Sequence, residues 1–199
     1  MIIEQIPVGA MDVFCYLLGC ERQRKAMYID PAGDTDLLLE RLKVHNLTLE
    51  YIVNTHGHPD HTCGNADLRK ATGAKIAIHE RDASMASNVD VKLRDGDRIQ
   101  IGSLNVGVLH TPGHTRGGIC LYVGGHLFTG DTLFVGAVGR TDLRGGDFGS
   151  LLMSIKDKLL PLPPETVVWP GHDYGDRPSS TLAHECDTNP YISDFILQA

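Results

Sequence analysis

Thr55-His56-Gly57-His58-Pro59-Asp60-His61 gathers three imidazoles and a carboxylate into one short segment. An apolar run, Tyr51-Ile52-Val53, leads into it, and Glu50–Asn54 reads as a short buried strand. Gly57 and Pro59 oppose helix in the middle of the segment, so it is expected to be a loop leaving a strand end. With 10 His and 18 Asp in 199 residues, chance supplies the spacing His-x-His-x-Asp-His in roughly two sequences per thousand. Neutral imidazoles are the commonest metal ligands, and carboxylates add hard oxygen donors. A solvated polar loop is the bland alternative, and the spacing disfavours it.

One short loop cannot surround a metal, so further donors should sit at other strand ends. Three candidates share a pattern of strand, then glycine, then ligand. His114 follows Pro112-Gly113 after the run ending near Leu109. Asp131 follows Phe128-Thr129-Gly130, and His172 follows Trp169-Pro170-Gly171. Each alone is a weak signal, because a lone His or Asp in a loop is more often a turn or cap residue. Their repeated placement is what counts.

The rest of the chain supplies a mixed α/β frame. Strands are expected at Ile2–Ile6, Val13–Leu18, Lys25–Asp30, Lys75–His79, Arg98–Ile101, Leu104–His110, Ile119–Val123, His126–Thr129 and, last, Thr166–Trp169. Asp34-Thr35 should cap a helix to about His45 with Leu38, Leu39 and Leu42 on one face. Asn65–Ala71 should be a helix stopped by Gly73. Phe148–Leu160 carries the apolar stripe Phe148, Leu151, Leu152, Ile155 and Leu159, ended by Pro161, Pro163 and Pro164. Ser180–Asp187 is the last helix candidate. No repeat or linker divides the chain.

Composition narrows the function. Hydrophobic residues make up 42% and charged residues 22%, as in a globular domain. Lys and Arg number 18 against 25 Asp and Glu, a formal charge of −7, and no basic run offsets it. That disfavours nucleic acid as a partner. No apolar stretch reaches the ~18 residues of a membrane span, and the amino-terminal residues show no secretory signal. The five cysteines (15, 20, 63, 120, 186) lie in no metal-ligand spacing and read as reduced thiols of a cytoplasmic protein.

The His56–His61 motif, the His114 segment, Thr129-Gly130-Asp131 and Pro170-Gly171-His172 together resemble the metallo-β-lactamase superfamily, in the family's order and across most of the chain. The resemblance implies an αββα sandwich with a metal site at the edge between two sheets. It implies that His56, His58 and His114 bind one metal, that Asp60, His61 and His172 bind a second, and that Asp131 bridges them. Two divalent ions are thus expected, zinc first, with iron or manganese as alternatives. Phe128-Thr129-Gly130-Asp131-Thr132-Leu133-Phe134 is most similar to the hydroxyacylglutathione hydrolase (glyoxalase II) group. Gly139-Arg140-Thr141-Asp142 is closer to the persulfide dioxygenases and the short hydrolases. Only residues 173–199 follow His172, with no basic residue beyond Arg177. The expectation is a single domain over 1–199, without the C-terminal helical domain of full-length glyoxalase II enzymes.

The implied activity is hydrolysis of a small acyl thioester, with a glutathione conjugate as the first candidate substrate. Asp60 and Asp131 would be catalytic as well as ligating. The alternative is a mononuclear iron persulfide dioxygenase on His56, His114 and Asp131, two histidines and a carboxylate suited to Fe(II) and oxygen. A non-catalytic metal-binding module is the third reading, and the presence of all seven donors counts against it. Arg140 is expected either to anchor a substrate carboxylate or to pair with Asp142. Tyr174 is expected to line the pocket, or else to be a buried structural tyrosine. Cys63 and His110 are expected to pack behind the ligands. His45, His79, His126 and His184 read as ordinary packing or surface residues.

Overall fold

Strand β2 (Val13–Cys20) is buried at every position, which requires both faces of its sheet to be covered. The alternation of a strand divides its side chains between two cores. Val13, Cys15 and Leu17 join a cluster with Leu38, Leu42 and Leu68, while Phe14, Tyr16 and Leu18 join one with Val106, Leu121 and Phe128. Those clusters place helices on one side of β2 and a second sheet on the other. A computed structural model describes residues 1–9 and 11–198 of the chain.

The first sheet follows chain order. Its strands are β1 (Ile2–Val8), β2, β3 (Lys25–Ile29), β4 (Thr48–Val53), β5 (Lys75–His79) and β6 (Val91–Leu93). Pairing is antiparallel from β1 to β3 and parallel from β3 to β6. Parallel neighbours need crossovers, supplied by α1 (Thr35–Val44) between β3 and β4 and by α3 (Asn65–Thr72) between β4 and β5. A short turn of helix, α2 (Pro59–Thr62), precedes α3.

The second sheet is built from β7 (Arg98–Ile101), β8 (Leu104–His110), β9 (Ile119–Val123), β10 (His126–Gly130), β13 (Val167–Pro170) and β14 (Ser180–Thr181), in the order β14-β13-β10-β9-β8-β7. A separate hairpin pairs β11 (Leu133–Phe134) with β12 (Ala137–Val138). On its outer face pack α4 (Phe148–Ser154), α5 (Leu182–Thr188) and α6 (Pro190–Ile192), through Leu151, Leu182 and Ile192 against Leu127 and Val168. The four layers are helix, sheet, sheet, helix, the αββα sandwich. Each large side chain buried between the sheets contributes on the order of 1.5–3 kcal/mol. Among the described residues no helix is long and apolar enough to cross a membrane.

Several local expectations need correction. Pro59 starts a helical turn where a loop was expected, because at the first helical position its missing N–H and fixed φ cost nothing. Asp34 precedes α1 without capping it: its φ is +51°, and its carboxylate accepts from Gly9 N (3.3 Å). The helix expected over Phe148–Leu160 is α-helical only to Ser154 and then widens to a π-helical segment, Ile155–Leu159. Phe148 lies outside its apolar stripe, exposed and edge-on to Phe195. Thr166–Trp169 is not the last strand, since Ser180-Thr181 pairs with β13 and α5 begins only at Leu182. Ser180–Thr181 is only two residues long, too short to leave a periodic signal.

Candidate metal centre

Every donor singled out above stands at a strand end on one edge of the sandwich. His56, His58, Asp60 and His61 follow β4, His114 follows β8, Asp131 follows β10 and His172 follows β13. The parallel pair β10–β13 brings Gly130 opposite Pro170, so Asp131 and His172 emerge side by side. Gly171 N donates to Gly130 O (2.8 Å) and Phe14 N to Gly171 O (2.9 Å), tying that corner to the first sheet. A Cβ at Gly171 would fall on the Asp131 carboxylate and within 2.9 Å of the Gly130 carbonyl carbon. Gly171→Ala should therefore displace Asp131 and lower metal content at least tenfold while circular dichroism stays native. Undiminished metal by elemental analysis would refute this placement.

The donors form two trios. Metal-binding atoms of His56, His58 and His114 lie within 4.8 Å of one another, and so do those of Asp60, His61 and His172. Asp131 stands between them: its carboxylate is 3.5 Å from His61 Nε2, 3.4 Å from His114 Nε2 and 3.4 Å from His172 Nε2. Across the trios' inner faces, His58 Nδ1 and His114 Nε2 are 2.9 Å apart, and the Nε2 atoms of His61 and His172 are 3.1 Å apart.

The far sides of the rings are tethered. His114 Nδ1 donates to Arg140 O (2.7 Å) and His172 Nδ1 to Met11 O (2.8 Å). Each neutral ring then presents the Nε2 lone pair inward. Thr55 spends its one hydroxyl hydrogen on Asp30 Oδ2 (2.6 Å), so His56 Nδ1–H must donate to Thr55 Oγ1 (3.1 Å). His56 Nε2 is left bare, buried and without a hydrogen-bond partner, and so is Asp131 Oδ1. Buried polar atoms without partners are rare in folded proteins and call for an explanation. A bound cation is one that serves both.

Charge points the same way. Burial drives the His56 imidazole well below its usual pKa, and the neighbouring His61 adds to the effect. Burial would also depress His61, but the carboxylates of Asp131, Asp30 and Asp60 hold it up at about 9. Asp131 is pushed up by burial and pulled down more strongly by His61 and His56, so it lies far below the ordinary carboxylate range. The cluster has lone pairs and negative charge to share with a cation. These residues fit divalent metal.

Two residues that hold this arrangement were missed in the sequence. Asp30 is 1% exposed and sits at φ +51°, a costly conformation for a residue with a Cβ. It accepts from Thr55 N (2.7 Å) and Thr55 Oγ1, and its Oδ2 meets His61 Nδ1 (3.1 Å). It also lies within a third donor trio with His56 and His61. Its oxygens are already engaged, so it orients ligands. Asp82, also 1% exposed, accepts from Gly57 N (3.1 Å), Thr115 Oγ1 (2.7 Å) and Gly117 N (2.8 Å), clamping the His56 loop to the His114 loop. Both follow strands, the one signal available, but no glycine precedes either of them.

A groove of about 550 Å³ opens over Asp60, His114, Asp131 and His172, walled by Phe134, Arg140 and Tyr174. Tyr174 is 56% exposed, its ring stacked on His172 (4.5 Å, 8°), so it is not the buried structural tyrosine of the alternative. Arg140 makes the expected pair with Asp142, two contacts of 2.8 Å, while still lining the groove. Cys63 is exposed rather than packed behind the ligands, and all five cysteines are free thiols. His110 is also away from the ligands, stacked on His79 (4.0 Å). His45 pairs with Glu4, and His126 accepts from Trp169 Nε1.

A four-layer sandwich with imidazoles and carboxylates converging at the seam of its sheets, beneath an open groove, defines a metal-dependent hydrolase that binds divalent metal. More particularly, the chain belongs to the metallo-beta-lactamase superfamily, which matches residues 8–172. It is 39% identical over 193 residues to a hydroxyacylglutathione hydrolase from Polaromonas sp. (strain JS666), covering 94% of this chain and 73% of that protein. It is 33% identical to the hydroxyacylglutathione hydrolase GloC of Haemophilus influenzae, covering 97% of this chain and 99% of that protein. The crystal structure of ETHE1 from Myxococcus xanthus superimposes with a TM-score of 0.91 at 37% identity, covering 97% of this chain and 85% of that chain.

Proposed function

We propose that this protein hydrolyses a small acyl thioester at a pair of divalent metal ions, zinc first among them. His56, His58 and His114 would hold one ion, Asp60, His61 and His172 the other, and Asp131 both. The observation that carries the reading is the second trio. An iron oxygenase needs only His56, His114 and Asp131, leaving His58, Asp60, His61 and His172 with no task. The relatives named hydroxyacylglutathione hydrolase support it, and GloC, matched over 99% of its length, supports a single domain as sufficient.

Metal bound here would lower the pKa of a water to near 7 and polarise an acyl carbonyl oxygen. Asp60, at the groove mouth, and Asp131, at its floor, would orient the attacking water through their free lone pairs. The tethers on His56, His61, His114 and His172 hold the imidazoles in place, so little reorganisation accompanies the reaction. A thiol of pKa about 8.5 leaves as thiolate without a general acid, which makes a thioester the fitting substrate. Tyr174, whose phenol partial burial pushes above its usual pKa, and Arg140 would position the carrier.

Persulfide dioxygenation is the second reading, favoured by the Gly139-Arg140-Thr141-Asp142 segment. Protein reconstituted separately with zinc, manganese and ferrous iron should cleave lactoylglutathione, and should neither consume oxygen nor release sulfite with glutathione persulfide. The reverse outcome reverses the assignment. Arg140→Ala should raise KM for the glutathione thioester several-fold with kcat nearly intact, the sign of lost uniform binding. An unchanged KM would confine Arg140 to its pair with Asp142.

A further inference from the structure

Beside the metal groove lies a second cavity of about 460 Å³, and the two meet at His58 and Leu143. Three arginines from three loops line it: Arg81 beyond β5, Arg116 beyond the His114 turn and Arg144 beyond Asp142. Arg41, Arg69, Arg94, Arg140 and Arg177 each pair with a carboxylate. Among the described residues, Arg81, Arg116 and Arg144 have no such partner. Asp82 is the only carboxylate in the lining, and its oxygens are engaged by Gly57 N, Thr115 Oγ1 and Gly117 N. The stem of Arg116 runs along Gly145, where a Cβ would stand 3.5 Å from its Cγ.

In a chain of net charge −7, three unpaired guanidiniums around one cavity repel each other and concentrate positive potential there. A multiply charged anion relieves that repulsion, and phosphate matches the guanidinium fork. Glutathione, whose two carboxylates suit guanidinium but whose ammonium would find no free carboxylate here, matches three cations less fully than a multiply charged phosphate group.

We propose that this cavity binds the phosphate-bearing end of the substrate's thiol carrier, a phosphorylated thiol such as coenzyme A, while the acyl group occupies the metal groove. The proposal rests on the thioester reading and specifies its carrier.

One acyl group should be offered as its coenzyme A, glutathione and N-acetylcysteamine thioesters, to the metal-loaded wild type and to the triple variant Arg81→Gln/Arg116→Gln/Arg144→Gln. The wild type should favour the coenzyme A ester. The triple variant should lose about 100-fold in kcat/KM on that ester, mainly through KM, and stay within about twofold on the uncharged N-acetylcysteamine ester. Equal losses on both esters, or none, would overturn the proposal. Calorimetric titration of coenzyme A itself should show binding that weakens with salt and falls at least tenfold in the variant. Absent or variant-independent binding would sink the anion site. Should no thioester turn over with any metal, the hydrolase reading fails, while the titration still decides the anion site.

Discussion

Asp131→Ala is expected to strip the protein of metal and reduce kcat/KM by about a thousandfold or more, equivalent to about 4 kcal/mol of lost transition-state stabilisation. Among the described residues, Asp131 is the one carboxylate within 3.5 Å of ring nitrogens on three separate loops, those of His61, His114 and His172. Standing between the trios, it would serve both proposed ions, so on its removal the occupancies should fall in parallel. Elemental analysis on matched preparations, with circular dichroism for folding, reads the result. His184→Ala, on α5 and away from the donors, should change neither metal nor rate. Full metal content and rate in the Asp131 variant would refute the two-ion arrangement.

The second large effect is expected at Asp30. Alanine there would leave Thr55 N, Thr55 Oγ1 and His61 Nδ1 without their acceptor. Each buried unpaired donor costs about 1–3 kcal/mol, and a protein of this size loses about 2–4 °C in Tm per kcal/mol. Alanine brings no relief of the left-handed backbone, since at φ +51° it is tolerated less well than Asp. The expectation is a Tm lowered by at least about 6 °C and metal affinity weakened about 10–100-fold. Asp30→Asn, which keeps one oxygen acceptor, should fall between. Thermal melts with and without added metal separate the two losses. A variant whose melts match the wild type in both conditions would strip Asp30 of its tethering role.

The seven candidate donors, which the fold brings together at one edge, could be singled out because their chemistry is local: rare residue types at fixed spacing, following apolar runs and glycines. β5, β7, β8 and β9 were legible at their full bounds because each is a short run rich in β-branched and apolar residues set between turn signals. The missed parts depend on chain segments far apart in sequence. Nothing near Asp30 indicates that its carboxylate reaches Thr55 and His61. Nothing near Asp82 indicates that it joins Gly57 to Thr115 and Gly117. The three arginines of the second cavity, at 81, 116 and 144, look like ordinary solvated charges until folding sets them around one space. Short pieces such as β6, β11, β12 and β14 are fixed by their partners rather than by their own sequence.

The division of the chain between its sheets has a consequence for assembly. Residues up to β6 build one sheet and residues from β7 onward build the other, so a cut at Arg94–Asp97 would leave each half owning a whole layer. Neither of the two trios proposed to hold the ions is complete in one half: His56 and His58 wait for His114, and Asp60 and His61 wait for His172, although the Asp30, His56 and His61 group lies wholly in the first half. A nascent or damaged chain with only one half in place could offer a metal at best a partial grip. Tight capture of the ion would then certify that the two halves have docked in register, making it an inspection step at the end of folding as well as a preparation for catalysis.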